Sequence, residues 1–369
     1  MKITILGLTI TSSWGNGHAT TYRSLCRALH ARGHRIDFVE KDVEWYASHR
    51  DLASPEYSPV WLYSDWEQDG RELACRLCAD ADLVVIGSYF PDAIRATRVL
   101  LDRVRAPLAF YDIDTPITLA ALRASGRTDY LEASLIQAYA AYMSFTGGPV
   151  LAELEARFGS PLAAPLYCSV DPALYHRVPS QPGYQADLSY LGTYAADRQA
   201  KLMTLLQAPA RRLPEQSFLV AGPMYPEETR WAENTRLLSH VPPREHAAFY
   251  SSARFTLNLT RQEMVDAGYS PSVRLFEASA CGAAIVSDRW TGLDAFLAPG
   301  EEIVTVADTE DVVRVLCEMP ESERLRMGER ARERILSEHT AEHRARDFES
   351  IVERMGAKRE ARAVERVKS

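Results

Sequence analysis

Lysine is scarce in this 369-residue chain, whose 42 basic residues are nearly all arginine. A lysine beside a motif therefore stands out. Positive charge is also in deficit: 50 acidic residues leave a net charge of −8, which argues against broad nucleic-acid binding through the phosphate backbone. Long apolar runs are missing. The opening MKITILGLTI is too short to cross a bilayer and leads into Trp14, Asn16 and His18, so it reads as a buried strand and neither leader nor anchor. Cysteine is sparse, with six residues at 26, 75, 78, 168, 281 and 317. Cys75 and Cys78 form a CxxC, but no second pair sits at zinc-site spacing, and RELACRLCADAD reads as one helix face. Reduced thiols in a cytoplasmic protein are the expectation. Repeats of solenoid length and low-complexity tracts are absent as well.

What remains is an ordinary globular composition, 46% hydrophobic and 25% charged, on a chain long enough for two cores. Short aliphatic runs alternate with amphipathic stretches: KITILGL, TTYRSLCRALHARG, RIDFVEKD, DLVVIGSY and PLAFYDID. This pattern predicts a parallel sheet covered on both faces. DYLEASLIQAYAAYMSFTGG and PVLAELEARFG are read as a helix, a short strand and a second helix. Residues 165–186, rich in proline and tyrosine, lack periodicity and read as a linker. The alternation then restarts at DLSYLGTY and runs to EIVTV. The fold class is α/β, with domains over 1–172 and 173–339 and a terminal helix over 340–369. Phe348, Ile351, Val352 and Met355 make an apolar stripe on that helix.

Ligands of parallel sheets bind beyond the carboxyl ends of the strands, and four such loops carry informative residues. After the first strand, Gly15, Asn16 and Gly17 precede a helix start near Ala19 that offers free N–H groups to an acceptor. Here His18 is either a general base or a structural hydrogen-bonder. A dinucleotide fingerprint would need glycine where Thr20 stands, which weighs against a nicotinamide dehydrogenase. In FYDIDTP, Asp112 and Asp114 end a strand on alternate sides. Three readings stay open: acceptor-side catalysis, a cap for the following helix or turn, or a DxD metal site. In GTYAADRQAKL, Gly192 ends a strand while Arg198 and Lys201 lie one helical turn apart. They form a diphosphate clamp or a solvated face. In LNLTRQEMVDAGYSPSVRLFEASACGAAIVSD, Ser272 is a natural N-cap after Tyr269 and Ser270, with Arg274 in the first turn and Glu277 about a turn later. That spacing suits phosphate at the helix start and ribose hydroxyls on the carboxylate. His339, Glu342 and His343 spell a zinc-peptidase pattern. Their Arg- and Glu-rich setting, without a distal carboxylate helix, speaks against metal.

Over this last block, with GTYAADR and HVPPREHAAFYSSARFTLNLTR, the sequence resembles the spore-maturation (CgeB-like) branch of the group-1 glycosyltransferases. The likeness runs from about Asp187 to Val306 and more loosely through YDIDTP and SVDPALY. The resemblance implies the GT-B fold, two Rossmann-like domains facing a central cleft. The first would bind an acceptor and the second a nucleotide sugar, with the final helix crossing back to the first. It implies Glu277 for the ribose, Arg198 and Lys201 for the diphosphate, backbone near Val241 for the base and the Ser270–Ser272 helix start for phosphate. Gly192, Arg261, Tyr269 and Arg274 complete the expected donor set. Tyr269 stands where group-1 enzymes commonly carry a first glutamate, eight positions before the second, so stereochemistry stays open.

The expected activity is transfer of a sugar to an acceptor hydroxyl on a glycan, lipid, protein or small molecule. It needs neither metal nor cofactor beyond the nucleotide sugar. If the reaction inverts, Asp112, Asp114 or His18 is the base; if it retains, the leaving phosphate serves. A nucleotide-sugar epimerase and a non-catalytic sugar-nucleotide binding module are the alternatives.

Overall fold

A computed structural model describes residues 1–15 and 17–368. Two compact units divide the chain. Met1–Tyr167 with the terminal helix from Ala341 forms one, and Cys168–Thr340 the other.

The first unit is built on seven parallel strands: β1 (Lys2–Leu6), β2 (Arg35–Lys41), β3 (Val60–Tyr63), β4 (Leu83–Gly87), β5 (Leu108–Asp112), β6 (Ala141–Ser144) and β7 (Ala163–Pro165). Their order is β3-β2-β1-β4-β5-β6-β7. Leu6 lies opposite Val39 on one side and Ile86 on the other. Every residue of β4 and β5 is buried, as expected for central strands with helices on both faces. The close fit depends on Gly87, where any Cβ would lie 1.9 Å from the Tyr22 hydroxyl of helix His18–Ala31. Gly33, with φ of 88°, follows that helix in the left-handed conformation that favours glycine.

One predicted element moves. The helix expected in DYLEASLIQAYAAYM is a short 3₁₀ turn over Ala133–Ala138 leading into β6, and the full helix lies earlier, over Thr115–Ser125. Pro116 in its first turn and left-handed Gly126 at its end explain the placement. The terminal helix, Ala341–Lys368, buries Ala345, Phe348, Ile351 and Met355, with Val352 only half covered. It packs on helix His18–Ala31. Arg32 pairs with Glu342 and Glu349, both at 2.6 Å, and His34 with Glu349 at 2.8 Å.

The second unit repeats the plan with β8 (Leu188–Leu191), β9 (Phe218–Ala221), β10 (Thr235–Leu238), β11 (Phe255–Asn258), β12 (Ala284–Ser287) and β13 (Val304–Thr305). They are ordered β10-β9-β8-β11-β12-β13. Leu188, Tyr190, Phe218, Phe255, Leu257 and Val286 form its core. Both sheets reverse direction beside their first strand, so the switch points lie between β1 and β4 and between β8 and β11. The loops leaving those strands are where ligands of doubly wound sheets settle. Cys75 and Cys78 are free thiols on helix Arg71–Cys78. Among the described residues, no helix is long and apolar enough to cross a membrane.

Candidate functional site

In the second unit, the loops after β8 and β9 are drawn together by two glycines. A Cβ on Gly222 would fall 2.1 Å from the Gly192 carbonyl oxygen, and Gly222 has φ of 146°. Helix Val273–Ala280 begins beside them. Ser272 holds its N-cap position in extended backbone, yet its hydroxyl caps nothing; it donates to Asn258 Oδ1 at 2.7 Å. Ser272 consequently offers the first-turn N–H groups no side-chain acceptor, which leaves the positive end of the dipole uncapped from that position.

Arg274 does not serve as the expected phosphate clamp. It is 7% exposed; Nε and Nη2 donate to the Leu191 carbonyl, and Nη1 to Asn258 Oδ1 at 2.9 Å. The guanidinium lies over the Tyr190 ring, so its role is to brace the Gly192 loop from behind. Lys201 is also committed, to Asp288 at 2.7 Å and to the Thr260 carbonyl at 2.8 Å. Arg261 pairs with Asp197 at 2.9 Å. Arg198 donates one Nη to the Thr193 carbonyl and keeps a buried Nε that has no partner among the described residues. The expected clamp of several free cations thus reduces to Arg198 and the helix start. Tyr269 has φ of 48° and packs its ring on Gly292, while Ser270 is buried.

Glu277, expected open to ribose, is 4% exposed. Burial raises its carboxyl to about 7, against the Tyr175 hydrogen bond and the charge of Arg274, which pull it down. The partners went unread in the sequence. Tyr175 comes from the linker, and its hydroxyl lies 3.3 Å from His246 Nδ1. His246 Nε2 lies 3.1 Å from the Val241 carbonyl, and Nδ1 is 3.9 Å from Glu277. Burial holds His246 down to about 4, more than the Val241 bond raises it. The neutral ring therefore donates from Nε2 to Val241, which leaves Nδ1 as an acceptor facing the Tyr175 hydroxyl, whose single proton goes either to Nδ1 or to the Glu277 carboxylate. A chain of polar contacts thereby joins the backbone at Val241 to the carboxyl at Glu277. The only sequence signal for it was the five-residue spacing of Val241 and His246 around a helix start, which is not distinctive.

In the first unit, the pair Asp112 and Asp114 separates by burial. Asp112 is corrected from the list of bases: it is fully buried, accepting from Tyr142 and from Thr118 at 3.0 Å. Burial lifts its carboxyl to about 6 despite those bonds. Its work is to tie β5 to β6 and helix Thr115–Ser125. Asp114, with 21% of its side chain exposed, stands 3.8 Å from His18 Nε2. Nδ1 of His18 is buried and has no hydrogen-bond partner among the described residues. The His18 ring meets Tyr89 edge-on at 5.2 Å, and Tyr89 bonds to Asp114 and Tyr130. Gly15 has φ of 69° with open space where a side chain would project. Gly17 precedes the helix start without a side-chain cap, and Asn16 lies outside the described residues. Among the described residues, no group of three or more His, Cys, Asp or Glu is placed to hold a metal ion. Within the peptidase-like pattern, Glu342 is paired with Arg32, and His339 packs between Phe276 and Phe296.

Comparison with known proteins bears on this geometry. Residues 198–350 match the family described as glycosyl transferase-like. No curated protein sequence matches the chain. Among solved structures, sucrose-phosphate synthase from Thermosynechococcus elongatus is similar with a TM-score of 0.66 at 13% identity, over 97% of this chain and 99% of that one. HepE of Anabaena, in complex with UDP and glucose, gives 0.68 at 12% identity over 96% and 99%. An alpha-glucosyltransferase in complex with UDP-glucose and DNA containing an abasic site gives 0.69 at 15% over 95% and 99%. Residues 198–350 therefore form a glycosyl transferase-like domain, and the chain has the GT-B fold over nearly its whole length.

Proposed function

We propose that the protein transfers a hexosyl group from a nucleoside-diphosphate sugar to an acceptor hydroxyl without requiring a divalent metal. One observation carries the reading: helix Val273–Ala280 starts at the second unit's switch point with its N–H groups uncapped, because the Ser272 hydroxyl is turned to Asn258. Such an end attracts a diphosphate, and the close-packed Gly192 and Gly222 loops let it approach backbone. Arg198 brings a cation whose Nε is unspent. Charge accumulates on the diphosphate as the glycosidic bond breaks, so these groups stabilise the transition state more than the bound donor.

Further along, the nucleoside lies along the chain from Val241 to Glu277, its base at the Val241 backbone and its ribose hydroxyls replacing Tyr175 on the carboxylate. Two of the solved neighbours are complexes with UDP and glucose or with UDP-glucose, which supports a nucleotide-sugar donor here. In the first unit, His18 is the base for the acceptor hydroxyl, and Asp114, 3.8 Å from Nε2, stabilises the imidazolium so formed. The CgeB-like branch remains part of this reading through the GYSPSVRLFEASACG block.

Differential scanning fluorimetry of the full chain against nucleoside diphosphates and their sugars tests it. Stabilisation by one nucleotide class, followed by release of the diphosphate in the presence of an acceptor, is expected. Absence of binding by every nucleotide defeats the donor assignment; binding without turnover on any acceptor reduces the protein to a binding module.

A further inference from the structure

We infer that the first unit carries a subsite for a small hydroxyl-bearing anion, a sugar phosphate or a sugar acid, in a cavity of about 560 Å³ beyond the carboxyl ends of β2 and β4. The size lies in the range of small-molecule sites. Naming this anion as the acceptor rests on the transfer reading above; its binding does not.

The lining sorts into satisfied and unsatisfied charges. Lys41 pairs with Asp92 at 2.9 Å, and the Tyr63 hydroxyl donates to the same oxygen at 2.9 Å, so this buried carboxylate is already well partnered. Arg98 pairs with Glu132 at 2.6 Å. Arg95, three residues before Arg98 on one helix face, reaches the other Asp92 oxygen only at 3.7 Å and has 64% of its side chain exposed. Arg127 and Asp129 line the cavity with no ion-pair partner among the described residues. Four cations thus face three carboxylates in a chain whose net charge is −8.

Two guanidiniums with donors to spare select an anion, and their planar forks suit carboxylate or phosphate oxygens. Asp129 and the remaining lone pairs of Glu132 accept from hydroxyl groups. A bare inorganic anion would meet those carboxylates with repulsion, and a neutral sugar would leave Arg127 and Arg95 unanswered. A molecule with both an anionic group and hydroxyls meets all of them.

Two loops tie the cavity to the His18–Asp114 pair. The loop after β4 carries Tyr89, whose φ of 62° is rare for a residue with a side chain, to His18 and Asp114, and three residues later it carries Asp92 to the cavity. The other loop carries Arg127 and Asp129 to the cavity and then Tyr130, whose ring lies 4.6 Å from that of Tyr89.

Calorimetric titration of the full chain at low salt with glucose 6-phosphate, glucuronate and glucose separates the possibilities. At least one of the two anions binds, the stronger naming phosphate or carboxylate as the preferred group, and glucose does not. The R95Q/R127Q double variant loses at least tenfold in that affinity, while R103Q, which removes one positive charge from the exposed end of the helix that carries Arg95, keeps it. Equal binding of glucose, no binding of either anion, or unchanged affinity in a double variant that melts like the parent each overturns the inference. A nucleoside diphosphate titrated in parallel keeps the readings apart. Loss of nucleotide binding with retained anion binding defeats the donor assignment alone, and the reverse defeats this subsite alone.

Discussion

A glutamate held near neutrality by burial serves stability and binding with opposite signs. In the folded protein Glu277 titrates at about 7, against an ordinary value of 4.5. A carboxyl raised on folding contributes stability that is complete below its unfolded value and is lost as pH rises through the folded one. Glu277→Gln therefore melts like the parent at pH 4.5 and is more stable at pH 8.5, by up to about 3 kcal/mol at roughly 1.4 kcal/mol per pH unit. Urea unfolding at the two pH values measures this; a variant less stable at pH 8.5 refutes it. Ribose binding runs the other way, because only the ionised carboxylate accepts from two hydroxyls. Nucleoside diphosphate affinity should fall about tenfold per unit below pH 7 in the parent, and Glu277→Gln should bind weakly with no such slope. His18 supplies the kinetic counterpart. His18→Gln should lower kcat by about 100-fold or more with donor KM little changed, whereas an unchanged kcat in transfer assays removes it from the chemistry.

At the scale of elements, the close approach of the loops after β8 and β9 makes a sharp demand on Gly222. Alanine there would need a Cβ 2.1 Å from the Gly192 oxygen and a φ of 146°, so the loops must part. Gly222→Ala should cost about 2 kcal/mol or more and weaken nucleotide binding, read by chemical denaturation and titration. An unperturbed variant would mean that the loops do not hold this geometry. The strand sequence and the helix at Val273 were legible from period and turn chemistry, because parallel strands buried on both faces announce themselves as aliphatic runs. Side-chain partners were not. Arg274 sits at the right helical position for phosphate, yet its donors go to Leu191, and Asp112 looked like half of a surface DxD although Tyr142 and Thr118 enclose it. Sequence distance explains both failures: Leu191 lies 83 residues from Arg274, and Tyr142 lies 30 from Asp112. The misplaced helix at 129–140 has a local cause, since its alanine- and leucine-rich run has helical propensity that the pairing of β6 with β5 overrides.

For the molecule as a whole, the open helix start at Val273 and Arg198 belong to one independently cored sheet, and His18 and Asp114 to the other. Since no step above is routed through a metal, transfer should survive EDTA undiminished, and loss of activity restored by magnesium or manganese would instead point to a metal-bound diphosphate. Each unit has its own sheet and core, so scanning calorimetry should resolve two transitions that respond to different perturbations. A nucleoside diphosphate at 100 times its Kd should stabilise the second unit by about 2.7 kcal/mol. Phe348→Ala should act on the other transition: this 1% exposed ring belongs to the terminal helix, which is the last part of the first unit to be made and packs on the helix after β1. Removing it should cost that unit about 3–5 kcal/mol while leaving the nucleotide-dependent shift in place. A single transition moved equally by ligand and substitution would show that the two units unfold as one.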